Sequence, residues 1–162
     1  MPLHLIYHPP GLYSASEKQA LVDDITGIYT AASLPAFWVV VIFRPVAASD
    51  FFVGGRGPQS NFVRIVVQHI ARNYKPDEVA KMRGFMQKYN DVIEPYTKGK
   101  GMHWEVNVDN LPSELWVVDG LRPPFGATEE EERLRRVWAE KNEVVLEGYS
   151  VPPIEQTEQS KI

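Results

Sequence analysis

Two stretches of the chain, residues 2–44 and 62–108, each carry the pattern of a strand, a helix and a second strand. In the first stretch, the apolar run Leu3–Tyr7 is followed by an S-x-x-E spacing at Ser14, which is typical of a helix N-terminus. Apolar residues then recur at steps of three and four, and the run Phe37–Phe43 indicates a strand buried on both faces. This order of elements restricts the chain to folds built from β-α-β units.

The second stretch repeats the pattern with different residues. Phe62–Ile70 predicts its first strand, Pro76–Glu78 the first turn of its helix, and His103–Val108 its second strand. Pro95 marks the end of the helix. Because 162 residues suit one domain, we expect a single α+β domain over residues 1–149. Its two units form one mixed sheet with helices on one face, and a right-handed crossover is expected within each unit.

A third helix with a charged surface is predicted at about residues 128–146. Its start has a capping-box spacing at Thr128, and glutamates precede arginines by four residues, which is the order that stabilises a helix. Its apolar side is narrow, so we expect it to dock along one edge of the domain or onto a neighbouring subunit. Residues 150–162, with Pro152 and Pro153, are predicted to be a flexible tail.

The connector Val46–Asn61 between the two units is rich in glycine. Gly54, Gly55 and Gly57 indicate a hairpin or a bulged turn. The alternative is a glycine-rich loop that cradles phosphate, but such a loop leads directly into a helix, and here a strand follows. The hairpin is therefore the prediction.

Composition excludes several classes of protein. Without cysteine, the chain has no disulfide, no thiolate metal site and no cysteine nucleophile. Its longest apolar run, Ala36–Phe43, is much shorter than a membrane span, and its first residues do not resemble a signal peptide. A net charge of −4 argues against nucleic acid as a partner. We expect a cytoplasmic protein that binds neither membranes nor nucleic acid.

Standard catalytic and metal-binding motifs are missing. The histidines His4, His8, His69 and His103 lack the spacing of metal ligands and are expected at the surface. A serine nucleophile of the G-x-S-x-G type is absent. Neither a metal nor a cofactor is therefore expected.

Pro2 is the remaining candidate for chemistry. Removal of Met1 would leave a secondary amine at the head of the first strand. An α-amino group titrates near about 7.7–8.0 in water, and burial in an apolar pocket lowers its pKa. Such an amine can act as a general base, and its protonated form as a general acid, near neutral pH. A proline at position two occurs in many proteins without any catalytic role, and that alternative remains open.

The start Met1–Tyr7, followed by a capped helix, a strand and a second β-α-β unit, resembles the tautomerase superfamily. The motif Phe52–Gly55 and the second unit's first strand leading into Arg72 are similar to the cis-3-chloroacrylic acid dehalogenase branch of that superfamily. The resemblance extends over about residues 2–125. It implies a homotrimer, an N-terminal catalytic proline in a hydrophobic pocket, and a small carboxylate as substrate.

The family's binding and catalytic positions match this sequence in part. The resemblance assigns the catalytic role to Pro2 and the binding of the substrate carboxylate to Arg72 and Lys75. Arginine can bind a carboxylate with two hydrogen bonds, whereas lysine supplies a point charge. Without the resemblance, the Arg72–Lys75 pair would be interpreted as a solvated basic turn.

At the other family positions the residue types differ. The family's histidine corresponds to Tyr29 and its water-activating tyrosine to Asn107, both of which can contact the substrate through hydrogen bonds. The family's glutamate corresponds to Val118, with Asp119 next to it. Asp119 could take the place of the family's glutamate if the match to the family shifted by one residue, but an Asp-Gly pair is more typical of a turn. The sequence therefore has no residue that matches the family's general base for adding water to the substrate.

The function predicted from these residues is a tautomerase (isomerase) or a dehalogenase-like enzyme. It would use Pro2 to transfer a proton on a small carboxylate-bearing enol, 2-oxo acid or unsaturated acid. The alternative is a non-catalytic binding or assembly module on the same fold. An unrelated small α+β dimer with an open apolar pocket is a third possibility.

Overall fold

In the part of the chain that the structure describes, four strands form one mixed sheet in the order β2-β1-β3-β4. The strands are β1 (Leu3–His8), β2 (Val40–Pro45), β3 (Phe62–His69) and β4 (His103–Asn110). β1 runs parallel to β2, β3 runs parallel to β4, and the two pairs meet in an antiparallel β1–β3 ladder. The computed structural model describes residues 1–57, 60–70 and 73–149. The predicted tail at residues 150–162 lies outside the described residues.

Within the described ranges, three α-helices accompany the sheet. They are α1 (Ala15–Thr30), α2 (Val79–Ile93) and α3 (Glu129–Lys141). Two β-α-β units, a mixed sheet and a C-terminal helix confirm the predicted α+β fold.

The capping box predicted at the start of α1 is present. The Ser14 hydroxyl accepts a hydrogen bond from the Glu17 amide at 3.2 Å, and the Glu17 carboxylate accepts one from the Ser14 amide at 2.8 Å. At α3, Thr128 caps the Glu131 amide at 3.1 Å. The Glu131 carboxylate instead accepts from the amide of Ala127 and from the side chain of Arg122, both at 2.9 Å. The predicted reciprocal box is therefore only half formed at α3.

Three predicted boundaries are wrong. α2 begins at Val79 rather than at Pro76, because the preceding residues form a turn in which the Glu78 carboxylate accepts from the Lys75 amide at 2.9 Å. α3 ends at Lys141, where Asn142 adopts a left-handed conformation. β2 starts at Val40, because a 3-10 turn at residues 36–38 precedes it.

The prediction that β2 is buried on both faces is also wrong. β2 lies at the edge of the sheet, and its residues are half-buried or exposed. The apolar composition of Phe37–Phe43 has a different cause. Trp38 in the 3-10 turn is 1% exposed and belongs to a separate aromatic cluster, so part of the run is buried outside the sheet.

Residues alternate between the two faces of the sheet. On the helix side, β1 and β3 bury every second residue: His4, Ile6, His8, Val63, Ile65, Val67 and His69. Helices α1 and α2 cover this side with the buried residues Leu21, Ile25, Ile28, Tyr29, Tyr89 and Ile93. On the opposite side, Leu3, Leu5 and Tyr7 of β1 stay partly exposed.

A second hydrophobic cluster, which we call the aromatic cluster, joins α3 to the start of the chain. Its buried members are Trp38, Ile70, Trp116, Val118, Leu134 and Trp138, and Met1 packs against them. The rings of Trp38 and Trp116 meet edge to face with centroids 4.9 Å apart. Because Leu134 and Trp138 belong to α3, this helix docks on its own chain through its narrow apolar side.

Each unit is followed by a tight hairpin. Val53 and Arg56 pair around Gly54 and Gly55, whose φ angles are 60° and 72°. This confirms the hairpin that the glycines of the connector predict. Among the described residues, no helix is long and apolar enough to cross a membrane.

Candidate functional site at the amino terminus

The amino terminus lies in an apolar environment. Met1 is half-buried against the aromatic cluster, and Pro2 is buried. The Pro2 carbonyl accepts a hydrogen bond from the Val40 amide at 2.9 Å, which fixes the start of β1 against β2. Burial lowers the pKa of the Met1 α-amino group from 8.0 to about 4. The Met1 amine is therefore neutral at pH 7.

The strand register places Pro2 beside His69. Leu3 lies opposite Gln68 in the antiparallel β1–β3 ladder, so the next pair outward is Pro2 and His69. Both residues are buried and belong to the series that points to the helix side of the sheet. The start of the first unit and the end of β3 thus meet at one point.

A cavity of about 350 Å³ opens over His69 between α1 and α2. It is lined by Ile28, Tyr29, Ala32, Leu34, His69, Tyr74, Lys81, Gly84, Phe85 and Lys88, and we call it the helix pocket. Leu34 also packs against the aromatic cluster, as Met1 does, but neither Met1 nor Pro2 is among the residues that line the helix pocket.

Aromatic rings hold His69 in the helix pocket. The His69 ring stacks on Tyr74 with centroids 5.4 Å apart and lies 5.0 Å from the ring of Phe85. Its Nδ1 atom is 3.5 Å from the hydroxyl of Tyr29. Lys81 and Lys88 add positive charge on the α2 side, with Lys81 paired to Glu78. The pocket thus combines apolar walls, polar groups at one end and cations, which suits a small organic acid.

A second buried histidine, His4, packs against the Tyr29 side chain of the helix pocket. His4 Nδ1 lies 2.9 Å from the Tyr89 hydroxyl, and its ring meets the edge of Tyr29 at 5.6 Å. Burial, together with nearby His69, lowers the pKa of His4 to about 3. Burial raises the pKa of Tyr29 well above its usual value. His4 and Tyr29 are therefore neutral at pH 7, and Tyr29 can serve as a hydrogen-bond donor but not as a base.

Of the site residues predicted from the sequence, Tyr29 lines the helix pocket and contacts His69, whereas Pro2 is buried but is not among the lining residues. Lys75 is exposed and follows Tyr74, which lines the helix pocket, but Lys75 is not among the lining residues. Arg72 lies outside the described residues.

The other two predicted residues lie elsewhere in the chain. Asn107 points to the side of the sheet opposite the helices, where its amide contacts Arg64 and donates to Asp109 at 3.0 Å. Asp119 is exposed at the tip of the second hairpin with a φ of 51°. Val118, before it, is buried in the aromatic cluster. Neither Asn107 nor Asp119 lines the helix pocket.

The expectation that the histidines lie at the surface is wrong for three of them. His4, His8 and His69 are 0%, 2% and 3% exposed. A signal for their burial was present in the sequence, because His4 and His8 alternate with Ile6 on one strand face. His69 likewise continues the alternation of Val63, Ile65 and Val67. Within the described residues, no group of three potential metal-ligating side chains occurs.

Comparison with solved structures finds relatives above 30% identity that cover most of the chain. RhCC from Rhodococcus jostii RHA1 is 32% identical with a TM-score of 0.79, over 89% of this chain and 99% of that chain. A probable enzyme from the thermophilic fungus Aspergillus fumigatus is 36% identical with a TM-score of 0.77, over 90% of this chain and 96% of that chain.

A more distant structure shares the fold. N1, a member of the cis-3-chloroacrylic acid dehalogenase family, is 21% identical with a TM-score of 0.62, over 87% of this chain and 98% of that chain. No curated protein matches the chain. A family model described as a putative oxalocrotonate tautomerase enzyme matches residues 1–143. The chain therefore belongs to this family, and with it to the tautomerase superfamily that its amino-terminal motif predicts.

Proposed function

We propose that this protein is an enzyme that transfers a proton on a small carboxylate-bearing enol or 2-oxo acid, with the amine of Pro2 as acid and base. The observation that carries the proposal is the burial of Pro2 at the head of β1, beside Met1, whose own α-amine has its pKa lowered by burial. Removal of Met1 would exchange the amide nitrogen of Pro2 for a secondary amine. Burial of that amine would lower its pKa in the same direction, which makes a lone pair available for a proton.

The reaction follows from this placement. The nitrogen of Pro2 removes a proton from the carbon next to the substrate carbonyl; the C–H electron pair forms the C=C bond and the carbonyl π pair moves to oxygen, which gives an enolate. The Pro2 ammonium then delivers the proton to the enolate oxygen to give the enol. In the ketonisation direction Pro2 takes the proton from the enol oxygen and delivers it to carbon. Tyr29, neutral and facing His69, donates a hydrogen bond to the carbonyl oxygen as negative charge develops there. Arg72 and Lys75, after β3, are proposed to hold the substrate carboxylate.

Tautomerisation fits the residues better than hydrolytic dehalogenation. Addition of water to an unsaturated acid requires a base that activates the water. At the corresponding position Val118 is apolar and buried in the aromatic cluster, and Asp119 occupies the exposed hairpin tip. Proton transfer by a single amine requires no such base.

The test compares the parent protein with Pro2→Gly and Pro2→Ala in the ketonisation of an enolised arylpyruvate. Intact mass of the purified protein should show loss of Met1. We expect Pro2→Gly to lower kcat/KM by about 10²-fold or more, the usual contribution of a positioned acid–base group. Retention of Met1 on all molecules, or equal turnover by the parent and Pro2→Gly, would leave the non-catalytic binding module as the function.

The carboxylate-binding residues are tested separately. Arg72→Ala and Lys75→Ala should raise KM with a smaller effect on kcat, because they contact the substrate equally in the ground and transition states. Arg83→Ala on the exposed surface of α2 is the matched control and should behave as the parent does. An unchanged KM in Arg72→Ala would remove that residue from the site.

We also propose that the chain assembles as a homotrimer through the side of the sheet opposite the helices. Leu3, Leu5 and Tyr7 stay partly exposed there. A fused 4-OT with the same fold, at 19% identity and a TM-score of 0.61, is described as a symmetric trimer. Contact between copies would bury this side, so that both faces of the sheet would be covered.

A further inference from the structure

Helix α2 carries a glycine at a position where alanine would make the helix more stable. Gly84 lies in the interior of this 15-residue helix, where glycine loses more conformational freedom on folding than alanine does. Its φ is not in the left-handed region. Among the described residues, no atom outside its own stretch of helix lies within 4 Å of the place that a Cβ would occupy. Neither the backbone nor close packing therefore requires glycine at position 84.

The open space at Gly84 belongs to the helix pocket. Lys81, Gly84, Phe85 and Lys88 all line that pocket. They follow one another at helical spacing, so they lie on one face of α2. Three of them carry long or bulky side chains, whereas Gly84 contributes none. A side chain at position 84 would stand between Lys81 and Lys88 and take up part of the cavity of about 350 Å³.

Aromatic rings form much of the rest of the pocket wall. The ring centroid of Phe85, the residue after Gly84, lies 5.0 Å from that of His69 and 6.3 Å from that of Tyr29. Ile28 and Leu34 add aliphatic surface from α1 and the segment after it. Aromatic side chains pack favourably on a further ring, edge to face or offset, at centroid distances of about 4.5–7 Å. The wall beside Gly84 therefore offers contacts for an aromatic ring of a ligand.

Two lysines give the rim of the helix pocket a positive charge. Lys81 pairs with Glu78, whereas Lys88 makes no ion pair within the part of the chain that the structure describes. Of the described residues that line the pocket, none is acidic. A cleft lined by charge of one sign attracts ligands of the opposite sign. An anion with an apolar body is therefore the class of ligand that fits.

We propose that Gly84 determines the substrate class of this protein, because its missing side chain leaves room in the helix pocket for an aromatic ring. The substrates are 2-oxo acids that carry an aryl group on the carbon next to the carbonyl. This inference rests on the proposed function, in which Tyr29 holds the carbonyl oxygen from the pocket wall. With the carbonyl there, the aryl group lies along Phe85 and Gly84. Gly84 takes no part in the proton transfer and acts on specificity alone.

The experiment measures by NMR how fast deuterium from D₂O enters the carbon next to the carbonyl of phenylpyruvate and of the small acid 2-oxobutanoate. The parent should process phenylpyruvate with the higher kcat/KM. In Gly84→Leu, kcat/KM for phenylpyruvate should fall at least about ten-fold and that for 2-oxobutanoate should change less than about two-fold, because only the larger substrate needs the space. Gly84→Ala adds a single methyl group and should give an intermediate loss with phenylpyruvate.

Gly27→Leu is the matched control. Gly27 lies inside α1, its φ is not left-handed, and the place of a Cβ there is equally open. It is not among the residues that line the helix pocket. Gly27→Leu should therefore keep the parental ratio of kcat/KM for the two acids. Circular dichroism of each variant checks that the fold is native.

A binding measurement separates this inference from the proposed activity. The unreactive analogue 3-phenylpropanoate should shift the backbone amide signal of Phe85 with the same dissociation constant in the parent and in Pro2→Gly. In Gly84→Leu that constant should rise at least about ten-fold. Binding that depends on Gly84, in a parent without turnover, would contradict the proposed function and support the assignment of Gly84.

Two outcomes would overturn the inference. An unchanged ratio of kcat/KM for the two acids in Gly84→Leu, with a native spectrum, would show that position 84 does not limit the substrate. Binding of 3-phenylpropanoate that leaves the Phe85 signal in place would show that the aryl group lies outside the helix pocket.

Discussion

His4 shows how a single residue can make the whole fold sensitive to acid. Its side chain has no exposed surface, and burial together with nearby His69 lowers its pKa from 6.5 to about 3. Between these two values the unfolded chain binds a proton that the folded chain does not. Folding stability contributed by neutral His4 is therefore complete above about pH 6.5 and declines as the pH falls, by about 1.4 kcal/mol per pH unit.

The first prediction concerns the pH dependence of unfolding. In His4→Asn we expect the free energy of unfolding to vary less steeply between pH 6.5 and 4 than in the parent, whatever its absolute value. Urea denaturation at a series of pH values measures this slope. His103→Asn, at an exposed position on β4, is the matched control and should keep the parental slope. A parental slope in His4→Asn would show that other groups cause the acid sensitivity.

At the scale of elements, the hairpin at Val118–Leu121 depends on two residues in the left-handed conformation. Asp119 has a φ of 51° and Gly120 a φ of 78°. No atom lies within 4 Å of the position that a Cβ on Gly120 would occupy, so the cost of Gly120→Ala is one of backbone strain alone. We expect this change to destabilise the fold by about 1 kcal/mol, measured by chemical denaturation.

Asp119→Asn tests the carboxylate at the same hairpin without disturbing the turn. Asparagine tolerates the left-handed conformation, so stability should change by less than about 0.5 kcal/mol. Turnover of the arylpyruvate should equal that of the parent, because Asp119 is exposed and does not line the helix pocket. A loss of turnover at native stability would give Asp119 a chemical role.

The elements that the sequence predicts well are those with local signals. The N-cap of α1 is encoded by Ser14 and Glu17, whose side chains each accept a hydrogen bond from the other's backbone amide three positions away. The hairpin of the connector is encoded by Gly54 and Gly55. By contrast, the sequence of the apolar run before Val40 has the pattern of a strand over its whole length. Trp38 in this run packs against Trp116 and Trp138, which are distant in the sequence. Its burial outside the sheet therefore has no local sequence signal.

The same distinction applies to the candidate site. Pro2 could be proposed from its position alone, and Tyr29 from the family resemblance. His69 and Tyr74 could not, because their role depends on the register that sets β1 against β3 and on the packing of α2 over the strand end. Asn107 was matched to the family by its place in the chain, and only the alternation along β4 reveals that it points to the opposite side of the sheet.

At the scale of the whole molecule, the partly exposed side of the sheet leads to the next prediction. Leu5 lies at the middle of β1 on that side. If three copies associate there, Leu5→Glu places a charge in the buried interface and should prevent assembly. Light scattering coupled to size exclusion should show a mass near three times 18.4 kDa for the parent and near 18.4 kDa for the variant.

A matched change on the helix side controls for the added charge. Ala20→Glu on the exposed surface of α1 should leave the assembly intact. A parent protein of monomeric mass, or an unchanged trimer in Leu5→Glu, would contradict the proposed interface. Circular dichroism of both variants checks that each retains the fold.

The burial of the first residue also determines how this protein should be produced. Met1 is half-buried and packs against the aromatic cluster, so a purification tag or fusion partner placed before it would begin beside the residues that join α3 to the start of the chain. It would also convert the terminal amine into a peptide bond. Affinity handles belong at the other end, after Tyr149.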